Sequence, residues 1–543
     1  MKQQGESPIL MSERERAGLR VDMRFIKHGL LALLMVAGTE GRSEQMTIED
    51  ILDGYDEHRF TAEELTRRYL QRIEQFESSY NAFTFMNRDA LEDARDIDRR
   101  RKNGEALGPL AGVPLVIKES MDIVGYPSTF GWTHTSAKSG GVELLPQKNA
   151  TVVQRLIDAD AIILGKTNIP AFSDSGTRAA ASWAGPTYNV VNRKLAPGGS
   201  SSGTATAVAA GFAAAGLAEE TGGSIQNPAA AQSLVGIVPT FSLVPNSGVA
   251  PLGASTLDVM GPIAKTVYDA ALLLDVIAGS SRDDPKTSAS DRHIPVGGYT
   301  SLLDKEALRG KRIGLYGAGW NTAELTNETR VLYERSVKEL EDRGATVIED
   351  PFVGSGFAGL AEKVDGNYDP RGLESLAYDL NLYLNGLGVD SLAEFEQMLP
   401  VSPFAEGEIL NWYVEYVPGL QASIDDPQSP PDLSSFLEAR QAYRDTFDSV
   451  LKKHNLDALV LPHAIAPLPD LDSEEDIRET TVTAINIGAL PAVTVPAGRY
   501  ENSGSPFSLI FVGRPFSEAE LLALAYDYEQ ATRHRIVPYL DGN

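Results

Sequence analysis

A chain of 543 residues with 42% apolar side chains is long enough to bury a large core, and for two or more domains, and is too apolar for a disordered protein. Its 48 basic and 75 acidic residues leave a net charge of −27. That excludes nucleic acid as an expected partner, because no net basic surface offsets phosphates. The absence of cysteine removes disulfides, thiolate nucleophiles and Cys-based zinc sites together.

The chain opens on a segment that needs separate handling. Met23-Arg24-Phe25-Ile26-Lys27-His28 is basic, Gly29 to Gly38 is nearly all apolar, and small and polar residues follow from Thr39 to Ser43. This resembles a bacterial secretory signal peptide beginning at Met23, with Ala37 and Thr39 near the cleavage point but no Ala-x-Ala. The other reading is an N-terminal amphipathic or membrane-leaning helix; the run is too short to span a bilayer. The first reading makes the mature protein periplasmic or secreted with no stable membrane insertion; without it the chain is cytoplasmic.

Residues 47–103 read as helical, with Thr61-Ala62-Glu63-Glu64 as a capping-box pattern. Val113 to Ile117 and Ala161 to Gly165 read as buried strands, with a helix over Thr151 to Ala159 between them. Ala205 to Leu217, small and apolar apart from Thr206, suits a fully buried helix. Further helices are expected over Asp269 to Ala278 and Thr326 to Arg343, and strands at Arg312 to Leu315, Ala458 to Pro462 and Ala492 to Pro496. Buried strands alternating with helices argue an α/β fold whose sheet is covered on both faces. Residues 353–440, rich in aromatics, prolines and acids, break the pattern. They read either as a lid or substrate-facing insertion, or as a helical excursion with no functional role. Asp470 to Glu479 reads as a solvated acidic loop.

The chemistry is carried by two glycine-serine turns and one lysine. The turns are Pro197-Gly198-Gly199-Ser200-Ser201-Ser202-Gly203 and Thr221-Gly222-Gly223-Ser224-Ile225; the lysine ends Gly112-Val113-Pro114-Leu115-Val116-Ile117-Lys118. A serine hydroxyl is a poor nucleophile until a base takes its proton. A lysine serves only when neutral, and the apolar run before Lys118 suits a buried position. Glu119 points to the other face of such a strand. Glycines before Ser224 let the backbone turn with its N–H groups inward. The amides of Thr221, Gly222, Gly223 and Ser224 are therefore candidate donors to an oxyanion. Taken alone, Gly-Gly-Ser turns are commonly loops or phosphate nests, but no Gly-Lys-Ser/Thr ending supports a phosphate loop. The seven histidines form no His-Glu-x-x-His pattern, and no Gly-x-Ser-x-Gly elbow is present, which disfavours metallohydrolase and Ser-His-Asp chemistry. His463 ends an expected strand and either faces the site or is a satisfied structural histidine, while Asp258 and Arg514 read as structural.

These blocks in this order resemble the amidase signature family of Ser–cis-Ser–Lys amide hydrolases. The likeness covers most of residues 47–535. It extends to Asp160-Ala161-Ile162-Ile163-Leu164-Gly165-Lys166-Thr167-Asn168, Asp258-Val259-Met260-Gly261-Pro262 and Val512-Gly513-Arg514-Pro515-Phe516. The resemblance implies one domain over residues 46–543 behind a leader over 1–45, built on a mixed central sheet with helices on both faces and the 353–440 insertion. It implies a catalytic set of Lys118, Ser200 and Ser224, a cis peptide at Gly199–Ser200, and Ser201 and Ser202 as hydrogen-bonding support. The implied reaction is hydrolysis of a small-molecule amide through a seryl acyl-enzyme, with no metal or organic cofactor. A homodimer stays open. So do two other readings on the same fold, a glutaminase-like subunit of a tRNA-dependent amidotransferase and a catalytically inactive binding homologue.

Three departures bear on substrate. Family members often carry arginine two or three residues after the nucleophile, where this chain has Gln226 and Asn227. A free-acid substrate loses a cationic partner there, so neutral or apolar amides are expected, with esters or carbamates as side activities. Glu220 replaces the usual aspartate before the second turn. Phe130 and Trp132 stand where small residues are common, and either line an apolar acyl pocket or pack in the core.

Overall fold

The computed structural model describes residues 45–364 and 368–540. Its strands are β1 (Phe83–Met86), β2 (Pro114–Lys118), β3 (Ile162–Thr167), β4 (Ala215–Glu220), β5 (Val235–Val238), β6 (Val259–Ala264), β7 (Arg312–Leu315), β8 (Thr346–Ile348), β9 (Ala458–Pro462), β10 (Ala492–Arg499) and β11 (Pro506–Val512). They form one sheet in the order β1-β3-β2-β4-β6-β5-β10-β11-β9-β7-β8. It is mixed: β2 runs parallel to β3 and β4, β7 runs parallel to β8 and β9, and the other neighbours are antiparallel. Every residue of β2, β3, β4, β6 and β11 is buried. A strand buried along its whole length has both faces covered, which is why these segments read as continuous apolar runs rather than alternating ones.

The covering helices follow from their sequences. Thr61 caps Ala62–Tyr80 by a reciprocal box, its Oγ1 accepting from Glu64 N at 3.1 Å while Glu64 Oε2 accepts from Thr61 N at 3.0 Å. Helix Ser202–Ala209 packs on β2, β3, β4 and β6, and helix Glu518–Thr532 on β10 and β11. The expected helix from Ala205 to Leu217 is a correction. It ends at Ala209, the chain turns through Gly211 at φ +72°, and Ala215 to Leu217 belong to β4. Small side chains serve here for close approach rather than for helix propensity: a Cβ on Gly216 would sit 2.5 Å from Thr204 Cγ2. β1, inside the stretch expected to be helical, is only four residues long, below what periodicity resolves.

Residues 353–440 form short helices, among them Leu376–Leu384, Leu392–Met398, Asn411–Tyr416 and Leu420–Asp425. They are tied to the body of the fold by Tyr383 Oη donating to Asp122 Oδ1 at 2.7 Å and by Ser255 N donating to Asp379 at 3.0 Å. From Met46 onward the chain forms one compact unit. Its first helix, Ile48–Asp56, is held by two deep contacts: Lys265 Nζ donates to Met46 O at 2.9 Å, and Ile48 N donates to Asp269 Oδ1 at 2.9 Å. The signal-peptide-like run Met23 to Ser43 lies outside the described residues.

Candidate active site

Two parallel neighbours, β2 and β4, end side by side with Ile117 paired to Leu217. Lys118 is the last residue of β2, and Glu219 and Glu220 are the last two of β4. The serine turns supply the other groups. Ser200 precedes helix Ser202–Ala209, and Ser224 precedes helix Gln226–Ala231. Carboxyl ends of strands, where loops leave the sheet, are where α/β folds gather their reactive side chains.

Lys118 is fully buried, and its Nζ donates to Ser200 Oγ at 2.7 Å. Ser200 Oγ lies 2.9 Å from Ser224 Oγ. The three side chains thus form one continuous hydrogen-bonded line. The peptide bond Gly199–Ser200 is cis. A Cβ on Gly199 would meet Ser175 O at 2.3 Å, so only glycine fits against that wall. The serines around Ser200 hold the turn: Ser201 Oγ donates to Glu219 O at 3.3 Å and Ser202 Oγ to Gly198 O at 2.5 Å.

Thr221, Gly222, Gly223 and Ser224 form the turn after β4, with Gly223 at φ +90°, a conformation favouring glycine. Among the described residues the amides of Gly222, Gly223 and Ser224 make no hydrogen bond to protein. Glu220 lies beneath this turn. Its carboxylate accepts from the amides of Ile225 at 2.8 Å and Gln226 at 3.1 Å, from Gln226 Nε2 at 2.5 Å and from Asn486 Nδ2 at 2.9 Å. Glu119 takes no part in the serine line; it accepts from Thr129 N at 2.7 Å and lies 3.6 Å from Lys166 Nζ.

Ser224 opens onto a cavity of about 1110 Å³. Thr221, Gly222 and Asn227 share its wall with Asp174, Trp320, Tyr368, Trp412, Tyr413 and Glu479. The 353–440 segment therefore contributes to the cavity wall. Burial pushes the Asp174 carboxyl up to about 6 and the Glu479 carboxyl up to about 7. The cations on the wall, Lys363 and Arg478, are both exposed.

Phe130 and Trp132 do not line the cavity. Phe130 stacks on Phe172 with ring centroids 5.1 Å apart and meets Tyr383 edge-on; Trp132 packs on Phe172 and His134. Both are buried, so the core reading is the one the packing supports. Gln226 is also turned away from the cavity, its Oε1 accepting from Thr481 Oγ1 at 2.9 Å and its Nε2 bound to Glu220. Asn227 does line it, but its Nδ2 is committed to Gly176 O at 3.0 Å. His463 is buried behind Asn227, and Arg514 binds Asp448 at 3.1 Å away from the serine line.

Glu219 escaped the sequence reading. Its Oε2 is 2.6 Å from Lys118 Nζ, and both side chains are buried. Two acids closing an otherwise apolar strand, Ala215-Gly216-Leu217-Ala218-Glu219-Glu220, were the available signal. Strand alternation sends one carboxylate to each face, here Glu219 to the lysine and Glu220 to the turn. Asp174 and the cavity aromatics carried no local signal, because distant segments bring them together.

The Amidase family model matches residues 64–522. The chain is 32% identical over 501 residues to a glutamyl-tRNA(Gln) amidotransferase subunit from Thermosynechococcus vestitus, covering 87% of this chain and 95% of that protein. It is 31% identical to the probable amidase At4g34880 of Arabidopsis thaliana, over 91% of each. Among solved structures, the native peptide amidase from Stenotrophomonas maltophilia superposes with a TM-score of 0.72 at 30% identity, covering 91% of this chain and 99% of that one. With this fold and these relatives, the chain belongs to the amidase signature family and is an enzyme acting on C–N amide bonds.

Proposed function

We propose that the protein is a free-standing amidase that hydrolyses a carboxylic amide to the acid plus an amine or ammonia. The observation that carries this reading is the unbroken line from Lys118 through Ser200 to Ser224, ending at the cavity wall. Ser224 Oγ attacks the amide carbonyl as its proton passes to Ser200 and that of Ser200 passes to Lys118. The carbonyl oxygen gains charge against the amides of the Thr221 to Ser224 turn; losing one such donor typically costs ~2.7–4 kcal/mol. The relay runs back to protonate the leaving nitrogen, and the acyl-enzyme is then hydrolysed by water entering through the same groups.

Substrate preference follows from what stands beside the nucleophile. Neither Gln226 nor Asn227 supplies the cation that would anchor a carboxylate, and the Asn227 amide on the cavity wall is committed to Gly176 and His463. Gln226 does not face the cavity at all. Neutral or apolar amides are thereby favoured over acids, with esters and carbamates as side activities. The likeness to amidotransferase subunits supports a second reading, a glutaminase-like subunit that works with partners.

Purified alone, the protein separates the two. Turnover of a simple neutral amide without added subunits, with covalent labelling of Ser224 by a fluorophosphonate, is the expected result. Labelling without amide turnover until partner subunits are added would favour the second reading. The run from Met23 to Ser43 supports export, with the mature protein periplasmic or secreted. Sequencing of protein from the native host should then return an N-terminus between about Gly38 and Gln45; Met1 from a cytosolic fraction would rule export out.

A further inference from the structure

The buried pair behind the serine line poses a protonation problem. A lysine ammonium has three hydrogens and no acceptor. Three acceptors surround Lys118 Nζ: Ser200 Oγ at 2.7 Å, Glu219 O at 3.0 Å and Glu219 Oε2 at 2.6 Å. An ammonium there donates to all three. The hydrogen bond to Ser200 then runs in the wrong direction, and no lone pair is left to receive a proton from Ser200. Losing a proton to bulk water would leave the Glu219 carboxylate unpaired, and an uncompensated buried charge is costly. The nearest destination for the proton is Oε2.

We infer that Glu219 is the proton partner of Lys118: its Oε2 takes one proton from Nζ, and the neutral amine, turning about its Cε–Nζ bond, presents the lone pair so exposed to the proton of Ser200. This rests on the acyl-enzyme reading above. One N–H bond breaks at Nζ as one O–H bond forms at Oε2, and the pair stays neutral overall. On attack, Ser224 Oγ–H passes to Ser200 Oγ, Ser200 Oγ–H passes to Nζ, and the new ammonium balances the charge on the oxyanion. The steps reverse when the leaving nitrogen is protonated. Glu219 never meets substrate; it is a positioning residue that acts through Lys118.

The groups facing Glu219 are arranged for this. Thr221 Oγ1 lies 3.0 Å from Glu219 Oε1 and 2.7 Å from Asp258 Oδ1. Asp258 also accepts from Gly253 N at 3.0 Å and Leu252 N at 3.1 Å. Burial first, and then the charge of Glu219, push Asp258 up to about 8. Asp379 adds to that push and Lys286 feels both aspartates. At neutral pH Asp258 therefore holds its proton.

The test is the pH profile of the full-length enzyme with a neutral amide, for Glu219→Gln and Glu219→Asp. The glutamine keeps the shape but does not take the proton. In the Gln variant the lysine proton must leave for water instead, so the acid limb should move from its wild-type position by about one pH unit or more, with KM within about twofold. Glu219→Asp should keep that limb within about half a unit. A Gln variant whose acid limb stays in place overturns the inference, whether kcat is unchanged or merely lowered. If the Gln variant does not fold, the wild type still decides. Its fluorophosphonate labelling rate should be flat from pH ~6 to ~8, and a rise of about tenfold per pH unit overturns the proposal. Labelling that persists in Ser224→Ala overturns the underlying acyl-enzyme reading instead.

Discussion

Asn227, on the cavity wall, meets the buried His463 behind it, with Asn227 Oδ1 2.8 Å from His463 Nε2. An amide oxygen only accepts, so the ring donates from Nε2. The imidazole is buried, and burial pulls it down to about 4 from its ordinary 6.5. Asn227 is thereby locked, with its nitrogen on Gly176 and its oxygen on a neutral histidine.

That lock predicts an acid dependence of stability. The folded state keeps His463 neutral while the unfolded chain protonates it near pH 6.5. Its contribution is therefore complete above about pH 6.5 and is lost as pH falls towards 4, a change of about 3 kcal/mol. Urea midpoints at pH ~7 and ~5 should diverge less in His463→Gln than in the wild type. An equal divergence in both proteins would contradict the assignment.

The serine line predicts a steep mutational profile. Ser224→Ala should abolish fluorophosphonate labelling. Lys118→Ala and Ser200→Ala should each lower kcat by roughly 1000-fold or more, and the double variant should be little worse than either. Wild-type turnover by Ser224→Ala would remove the mechanism.

The turn beneath the oxyanion position depends on Glu220, which is fully buried. Glu220→Ala strips a carboxylate from two amides and two side-chain amide groups, a loss of about 3 kcal/mol or more in stability. Activity should fall further than the unfolded fraction accounts for, read as kcat per labelled site. A variant as stable as the wild type would refute this.

Much of this arrangement was legible in the chain, and its physical reasons are visible. Lys118, Ser200 and Ser224 each sit in a short motif whose neighbours fix the local backbone, so order and residue type were enough. Boundaries failed where small residues served packing, as from Ala210 to Leu217, since alanine reads as helix former whatever its neighbours. Phe130 and Trp132 show the limit at the site: an aromatic fits a core and a pocket equally well until the segments carrying Phe172 and Tyr383 are in place. Asp174 and Glu479 become cavity groups only through the path of the 353–440 segment and the loop before helix Val482–Gly488.

Those two carboxyls give substrate preference a pH dependence. Both are raised by burial, to about 6 and about 7, so they are protonated below those values and charged above them. Between pH ~5 and ~8 the cavity gains negative charge, and KM for a half-amide acid should rise by about tenfold relative to its neutral isostere. Asp174→Asn with Glu479→Gln should flatten the trend. A constant KM ratio across that range would sink the idea.

A cation can be restored at one of the two candidate positions. Asn227→Arg reaches the cavity and should narrow the gap between acids and neutral amides, at the expense of the contacts to Gly176 and His463. Gln226→Arg faces the Glu220 carboxylate and should leave the ranking unchanged. Specificity constants for a matched pair of substrates decide the point, and a reversed outcome would show that the cavity is read the wrong way round.

The start of the described fold sets a limit on how far the N-terminus can be trimmed. Met46 O and Ile48 N close over Lys265 and Asp269, two ionisable side chains in the core. A protease that cuts before Met46 leaves this cover intact. One that cuts a few residues later lets water reach both groups, so the permitted cut sites end abruptly at a main-chain clasp.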